Sequence, residues 1–188
     1  MASDFPGEPT RLLVAGDTHG NHLHWEHVLL PAARKHQVDG IVQLGDFGYW
    51  PLTGEGLDYL AWLSAELDDD LRIIFVDGNH EDHKALRQLP TRPDGFVEVT
   101  DRILWAPRGH RWTWQGVRFL ALGGAFSIDR QYRKLDSGRW GWFKEEVITP
   151  RAGEAGHSRR ADRTQEADYR APNERRLPKH ISDCPGAQ

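Results

Sequence analysis

The residues best equipped for chemistry lie in three short loops, each directly after an apolar run: Gly16-Asp17-Thr18-His19, Gly45-Asp46 and Gly78-Asn79-His80-Glu81. Asp17, His19, Asp46 and Asn79 offer oxygen and imidazole donors of the kind that hold transition-metal dications. Two residues apart in an extended turn, Asp17 and His19 can face one ion, while Asp46 carries two oxygens and can bridge a pair. Asn79 adds a neutral oxygen for a second ion, and His80 beside it points elsewhere, toward a substrate. A single Gly-Asp turn needs no function, because glycine supplies positive φ and Asp bonds its own backbone. Three in order, one with Asp-x-His and another with Asn-His-Glu, are hard to attribute to turns alone.

Together the loops resemble the opening signature of the calcineurin-like metallophosphoesterases: Gly-Asp-x-His, then Gly-Asp, then Gly-Asn-His-Glu/Asp. The resemblance implies an α/β fold, a β-sandwich of two sheets flanked by helices (αββα). It also implies hydrolysis of phosphate mono- or diesters by a water activated between two divalent ions. By the same resemblance Asp17 and His19 hold the first ion, Asp46 bridges, Asn79 holds the second, and His80 contacts the phosphate or protonates the leaving group. Such a mixed donor set accepts Mn2+, Fe2+, Zn2+ or Co2+.

The family's later ligands are a strand-ending histidine and a Gly-His-x-His pair. No Gly-His-x-His occurs in this sequence, so the fold is expected to be incomplete at the C-terminus. His180, in His180-Ile181-Ser182-Asp183-Cys184-Pro185, loosely echoes the family's His-Asp-x-Pro loop and is the one late histidine kept as a candidate ligand. The gap supports an alternative reading: a truncated or frame-disrupted, catalytically reduced domain that binds metal or a phosphorylated partner without turnover. Tyr49 stands where the purple acid phosphatase branch has a tyrosine ligand, but His19 already supplies an imidazole, so Tyr49 and Trp50 are read as pocket wall. Leu122-Gly123-Gly124-Ala125-Phe126-Ser127 resembles a stretch of small bacterial and phage members. Asp129, Arg130 and Arg139 nearby are candidates to position substrate oxygens or to order that loop.

Strands must deliver these loops. The runs 12–15, 41–44 and 73–76 are leucine-rich or β-branched and stop at a Gly beside Asp or Asn, as buried strands ending in tight turns do. In an open α/β sheet, ligands gather beyond the carboxyl ends of the strands. Leu23, Val28, Leu29, Ala32 and Ala33 predict a helix over 22–36 that Pro31 kinks or divides. Of its histidines only His22 lies close enough to the Asp17 loop to be a candidate. Leu57, Leu60, Ala61, Leu63 and Leu67 predict a second helix, with Asp68-Asp69-Asp70 as its solvated end. A short helix is expected from Asp82 to Leu89, and Glu81 or Asp82 is placed to orient His80. Short strands follow over 96–99, 103–105, 111–114 and 117–122, with Gln115-Gly116 as a hairpin turn. The resemblance assigns all four to the second sheet.

Length and composition divide the chain into a disordered leader (1–9), one domain (10–149) and a polar tail (150–188) too poor in apolar groups to offset its ordering entropy. The net charge is −4, and −6 over residues 1–150, which argues against a nucleic-acid partner or an anionic membrane surface. The expected partner is a phosphoester substrate, drawn in by the metals themselves. A single cysteine, Cys184, forms no intramolecular disulfide and suits a reducing compartment; without a signal-like start or a membrane-length apolar run, the expectation is cytoplasmic. No Gly-x-x-x-x-Gly-Lys phosphate loop is present.

Overall fold

The computed structural model describes residues 8–134 and 141–148. Its main sheet runs, in spatial order, β1 (Leu12–Gly16), β2 (Gly40–Leu44), β3 (Arg72–Val76), β5 (Ile103–Trp105) and β4 (Val97–Glu98). The first four are parallel and β4 is antiparallel to β5. Successive side chains of a strand point to opposite faces, and the sequence alternates to match. Ile41, Ile73, Phe75, Ile103 and Trp105 pack on the helical side with Trp25, Leu30, Tyr59 and Leu63. Val42, Ile74, Val76 and Leu104 face the other way and pack with Phe96, Trp114 and Ala121. Toward the β1 edge that second face is thinly covered by the described residues, and Val14 and Leu44 are exposed.

The second sheet is the hairpin of β6 (Arg111–Trp114) and β7 (Val117–Leu120). Gln115 and Gly116 both take positive φ, 48° and 76°, as the tight turn that suits strand twist requires. Trp112 pairs with Phe119 across the strands, their rings stacked at 5.2 Å. The strands near 97 and 103, assigned above to this sheet, instead extend the first one. Ile103, Leu104 and Trp105 are all buried, and a strand buried on both faces belongs within a largely parallel sheet.

Pro31 does divide its helix. Segment α1 (His22–His24) leads into a π-helical turn (Trp25–Leu29), and α2 (Leu30–Lys35) carries the proline in its first turn. The wider turn, closed by the Leu30 N–H on the Trp25 carbonyl, carries the chain to a residue that has no N–H to donate. α3 (Gly54–Glu66) starts at Thr53, whose hydroxyl accepts from the Gly56 N–H at 3.0 Å. Tyr59 joins its buried face, whereas Leu57 is exposed. α4 is shorter than expected, His83–Leu86, and is capped by Asp82, whose carboxylate accepts from the Ala85 N–H at 2.9 Å. α5 (Arg130–Arg133) and a 3-10 turn (Lys144–Glu146) complete the described elements. Among the described residues no helix is long and apolar enough to cross a membrane. The expected tail from 150 onward lies outside them, as do Arg139, His180 and most of the leader.

Candidate metal centre

Parallel register brings the three loops together. Gly16 pairs with Leu44 and Leu44 with Val76, so β1, β2 and β3 end at one level. The loops then tie to one another through the backbone: Asp17 N–H to the Gly45 carbonyl at 3.2 Å, Gly45 N–H to Val76 at 3.0 Å, and His19 N–H to Asp46 at 2.6 Å. Gln43, fully buried beneath them, donates to the Gly45 carbonyl at 2.6 Å.

Asp17, His19 and Asp46 all sit in the left-handed backbone region, at φ 58°, 47° and 53°. Few non-glycine residues adopt it, and such strain concentrates at functional sites. Its result here is convergence. One donor atom from each of the three lies within 4.8 Å of the others. His19 Nε2 is 2.7 Å from Asp17 Oδ1 and 3.6 Å from Asp46 Oδ2. Among the described residues no lysine or arginine pairs with either carboxylate. Two carboxylates and an imidazole gathered this closely fit a divalent ion, by charge and by donor type.

The second loop is braced by the third. Asp46 Oδ1 accepts from the N–H groups of Asn79 and His80, both at 2.9 Å. Gly78 makes room for this, since a Cβ there would stand 2.1 Å from Asp46 Oδ1. Glu81 and Asp82, considered above as partners of His80, have other work. Fully buried Glu81 accepts from the amides of Phe47 (2.5 Å), Gly48 (3.4 Å) and Gly78 (2.7 Å), clamping the Asp46 and Asn79 loops together. Burial, reinforced by the charges of Asp46 and Asp77, pushes its carboxyl up to about 8.

Asn79 lines the same cavity as Asp17 and Asp46, a cleft of about 500 Å3 whose other walls include Leu44, Leu122 and Ala125. The His80 ring stands edge-on to His19, with centroids 5.1 Å apart. Burial holds its imidazole below the usual range, with Arg133 and His19 acting in the same direction. Of the remaining candidates, Asp129 acts on His80, its charge opposing the lowering of that imidazole. Tyr49 is buried in the core, its hydroxyl pushed up to about 12 by burial and by Asp82. Trp50 lines a separate cavity with His22, Glu55 and Asp58. Arg130 lies over the Trp142 ring at 5.3 Å, and Asp129 is 3.8 Å from Arg133.

Sequence reading passed over the group behind the third strand. Asp77 is buried and accepts from Trp105 Nε1 at 3.1 Å and from Arg108 at 2.7 and 2.6 Å. Gly123 lets the chain pass close by, since a Cβ there would come within 2.4 Å of Asp77 Oδ1. His83 Nδ1 is 3.6 Å from the same carboxylate. Burial pushes the His83 imidazole down to about 4, against the pull of Asp77 and with Arg108 assisting. Between pH 6.5 and 4 the unfolded chain therefore holds a proton at His83 that the folded chain lacks. Stability falls as pH drops through that window, by roughly 3 kcal/mol for this group at its lower end. Melting temperatures measured across it should fall steeply for the wild type and less steeply for His83→Gln.

The family model for calcineurin-like phosphoesterases matches residues 10–174. No curated protein and no solved structure gives a significant match. With most of its length matched, and with two of the three strand-end loops supplying a donor set fit for a divalent ion, the chain belongs to the calcineurin-like phosphoesterases.

Proposed function

We propose that the domain hydrolyses phosphate mono- or diesters with two divalent ions, Mn2+ among those accepted, in the cleft edged by Asp17, Asp46 and Asn79. The convergence of the Asp17, His19 and Asp46 donor atoms within 4.8 Å carries this reading. Asp17 and His19 would hold one ion, Asp46 both, and Asn79 the second. When bound, the ions supply an activated water and charge compensation for in-line displacement at phosphorus. His80, beside His19 and partly buried, serves the phosphoryl or leaving oxygen. An excess of negative charge on the domain repels a phosphate at long range, so the substrate's attraction has to arise at the centre itself. No covalent intermediate on the protein is needed. The single cysteine supports a cytoplasmic placement, and residues 150–188 are read as a polar tail, although the family match runs to residue 174.

The test is to strip the full chain with chelator, reload it with Mn2+, count ions per chain, and assay p-nitrophenyl phosphate and its bis ester. Turnover that disappears on stripping and returns with two ions per chain is the expected result. One observation favours a second reading: the donor group found among the described residues holds Asp17, His19 and Asp46, enough for one ion, and the second ion is left to Asp46 with Asn79 from the same cleft. A chain that holds one ion and turns over neither ester would be a reduced domain that binds metal or a phosphorylated partner.

A further inference from the structure

We infer that Ser127, Arg133 and Glu146 form a positioning unit that fixes which atom of the Asn79 amide is presented to the cleft shared with Asp17 and Asp46. The inference rests on Asn79 being a ligand to the second ion. The two ends of an asparagine amide are nearly alike in shape, but only the oxygen can ligate a cation, and the NH2 end can only donate. Orientation therefore decides whether Asn79 is a ligand at all, and the polarity of its neighbours decides the orientation.

Glu146 is fully buried and faces the Arg133 guanidinium, which donates to Oε1 at 2.8 Å and to Oε2 at 3.1 Å. Its carboxylate can only accept. Ser127 Oγ lies against Glu146 Oε2, so the hydroxyl proton is committed to that bond. The serine oxygen then has only lone pairs to offer. Arg133 donates to it at 2.9 Å, and Asn79 Nδ2 donates to it at 3.0 Å. With its NH2 drawn to Ser127, Asn79 has Oδ1 left as the atom for the cleft that it lines. The same arginine also donates to the Asn79 backbone carbonyl at 3.1 Å, fixing the residue at both ends. All three members of the unit are buried, with Ser127 4% and Arg133 5% exposed. Desolvation of a buried ion pair largely offsets its attraction, so geometry is the gain that accounts for this one.

Mn2+ titration of the full chain by calorimetry tests the inference, with Ser127→Ala made both in the wild type and on top of Asn79→Asp. A carboxylate presents an oxygen whichever way it turns, so Asn79→Asp removes the need for orientation. Ser127→Ala alone is expected to weaken the weaker Mn2+ site about 10- to 100-fold and to spare the tighter one. Combined with Asn79→Asp it should change neither. Equal loss in both backgrounds, or no loss in either, overturns the inference.

Near-isosteric Glu146→Gln gives a second route. Arg133 and the Phe143 N–H, 3.0 Å from Oε1, hold the new amide oxygen at that position. Its NH2 then faces Ser127, whose proton swings toward Asn79. The same weakening is expected, and an unchanged affinity in a chain with a cooperative melt overturns the inference. If Asn79→Ala leaves every Mn2+ affinity unchanged, the ligand reading of Asn79 fails on its own evidence, and the positioning unit falls with it.

Discussion

Asp46→Asn is expected to cost at least about 10³-fold in kcat/KM for p-nitrophenyl phosphate with Mn2+, because it removes the carboxylate proposed to serve both ions. The substitution is well matched to the local structure. Oδ1 is occupied by the Asn79 and His80 amides, and an asparagine oxygen can continue to accept from them. Its NH2 then takes the Oδ2 position near His19, presenting a donor where a cation needs an acceptor. Folding should not suffer. In the metal-free chain Asp46 adds to the burial that pushes the Glu81 carboxyl up to about 8, so removing its charge relieves repulsion. Melting of metal-free Asp46→Asn should match or exceed that of the metal-free wild type, while the rise produced by Mn2+ should shrink. Equal turnover by the two proteins would reduce the observed rate to background and leave the binding domain as the reading.

His80→Ala should lower kcat by about 10²–10⁴-fold on an alkyl phosphate and much less on p-nitrophenyl phosphate, whose leaving oxygen needs little protonation. Mn2+ affinity should hold, because His80 is proposed to face the substrate and not an ion. The pH profile separates an acid from a mere phosphate contact. Burial holds the imidazole below its usual range, so the protonated fraction grows only as pH falls below the ordinary histidine midpoint of about 6.5. Wild-type turnover of the alkyl ester should carry a limb that rises toward acid, and His80→Ala should lack it. A uniform loss across both esters, with the limb intact, would assign His80 to binding alone.

The loops were legible because each is local: a run of apolar residues, a glycine and a donor within six positions. Parallel pairing then did what such sequences do, and Asp17, His19 and Asp46 met. The Gln115-Gly116 turn was legible for the same reason. Sheet membership of the strands near 97 and 103 was not, since a short apolar strand has the same pattern in either sheet, and long-range pairing with β3 decided it. The unit around Asn79 was hidden further still. Ser127, Arg133 and Glu146 are separated from Asn79 by 48, 54 and 67 positions, and nothing in their own neighbourhoods marks them as a set. Glu81 had a signal in its place beside Asn79-His80, but its burial among three amides depends on Phe47 and Gly48, brought over from the second loop.

The unusual backbone at Asp17, His19 and Asp46 restricts how this site can be altered. Branched residues such as valine or threonine pay heavily in that conformation, while glycine and the short polar types tolerate it. Attempts to re-equip the centre for a softer metal by bringing in new donors at these three places meet the chain's own geometry before they meet the ion. The practical freedom for redesign therefore lies in residues that reach the cleft from ordinary backbone, such as Leu122 and Ala125 along its rim.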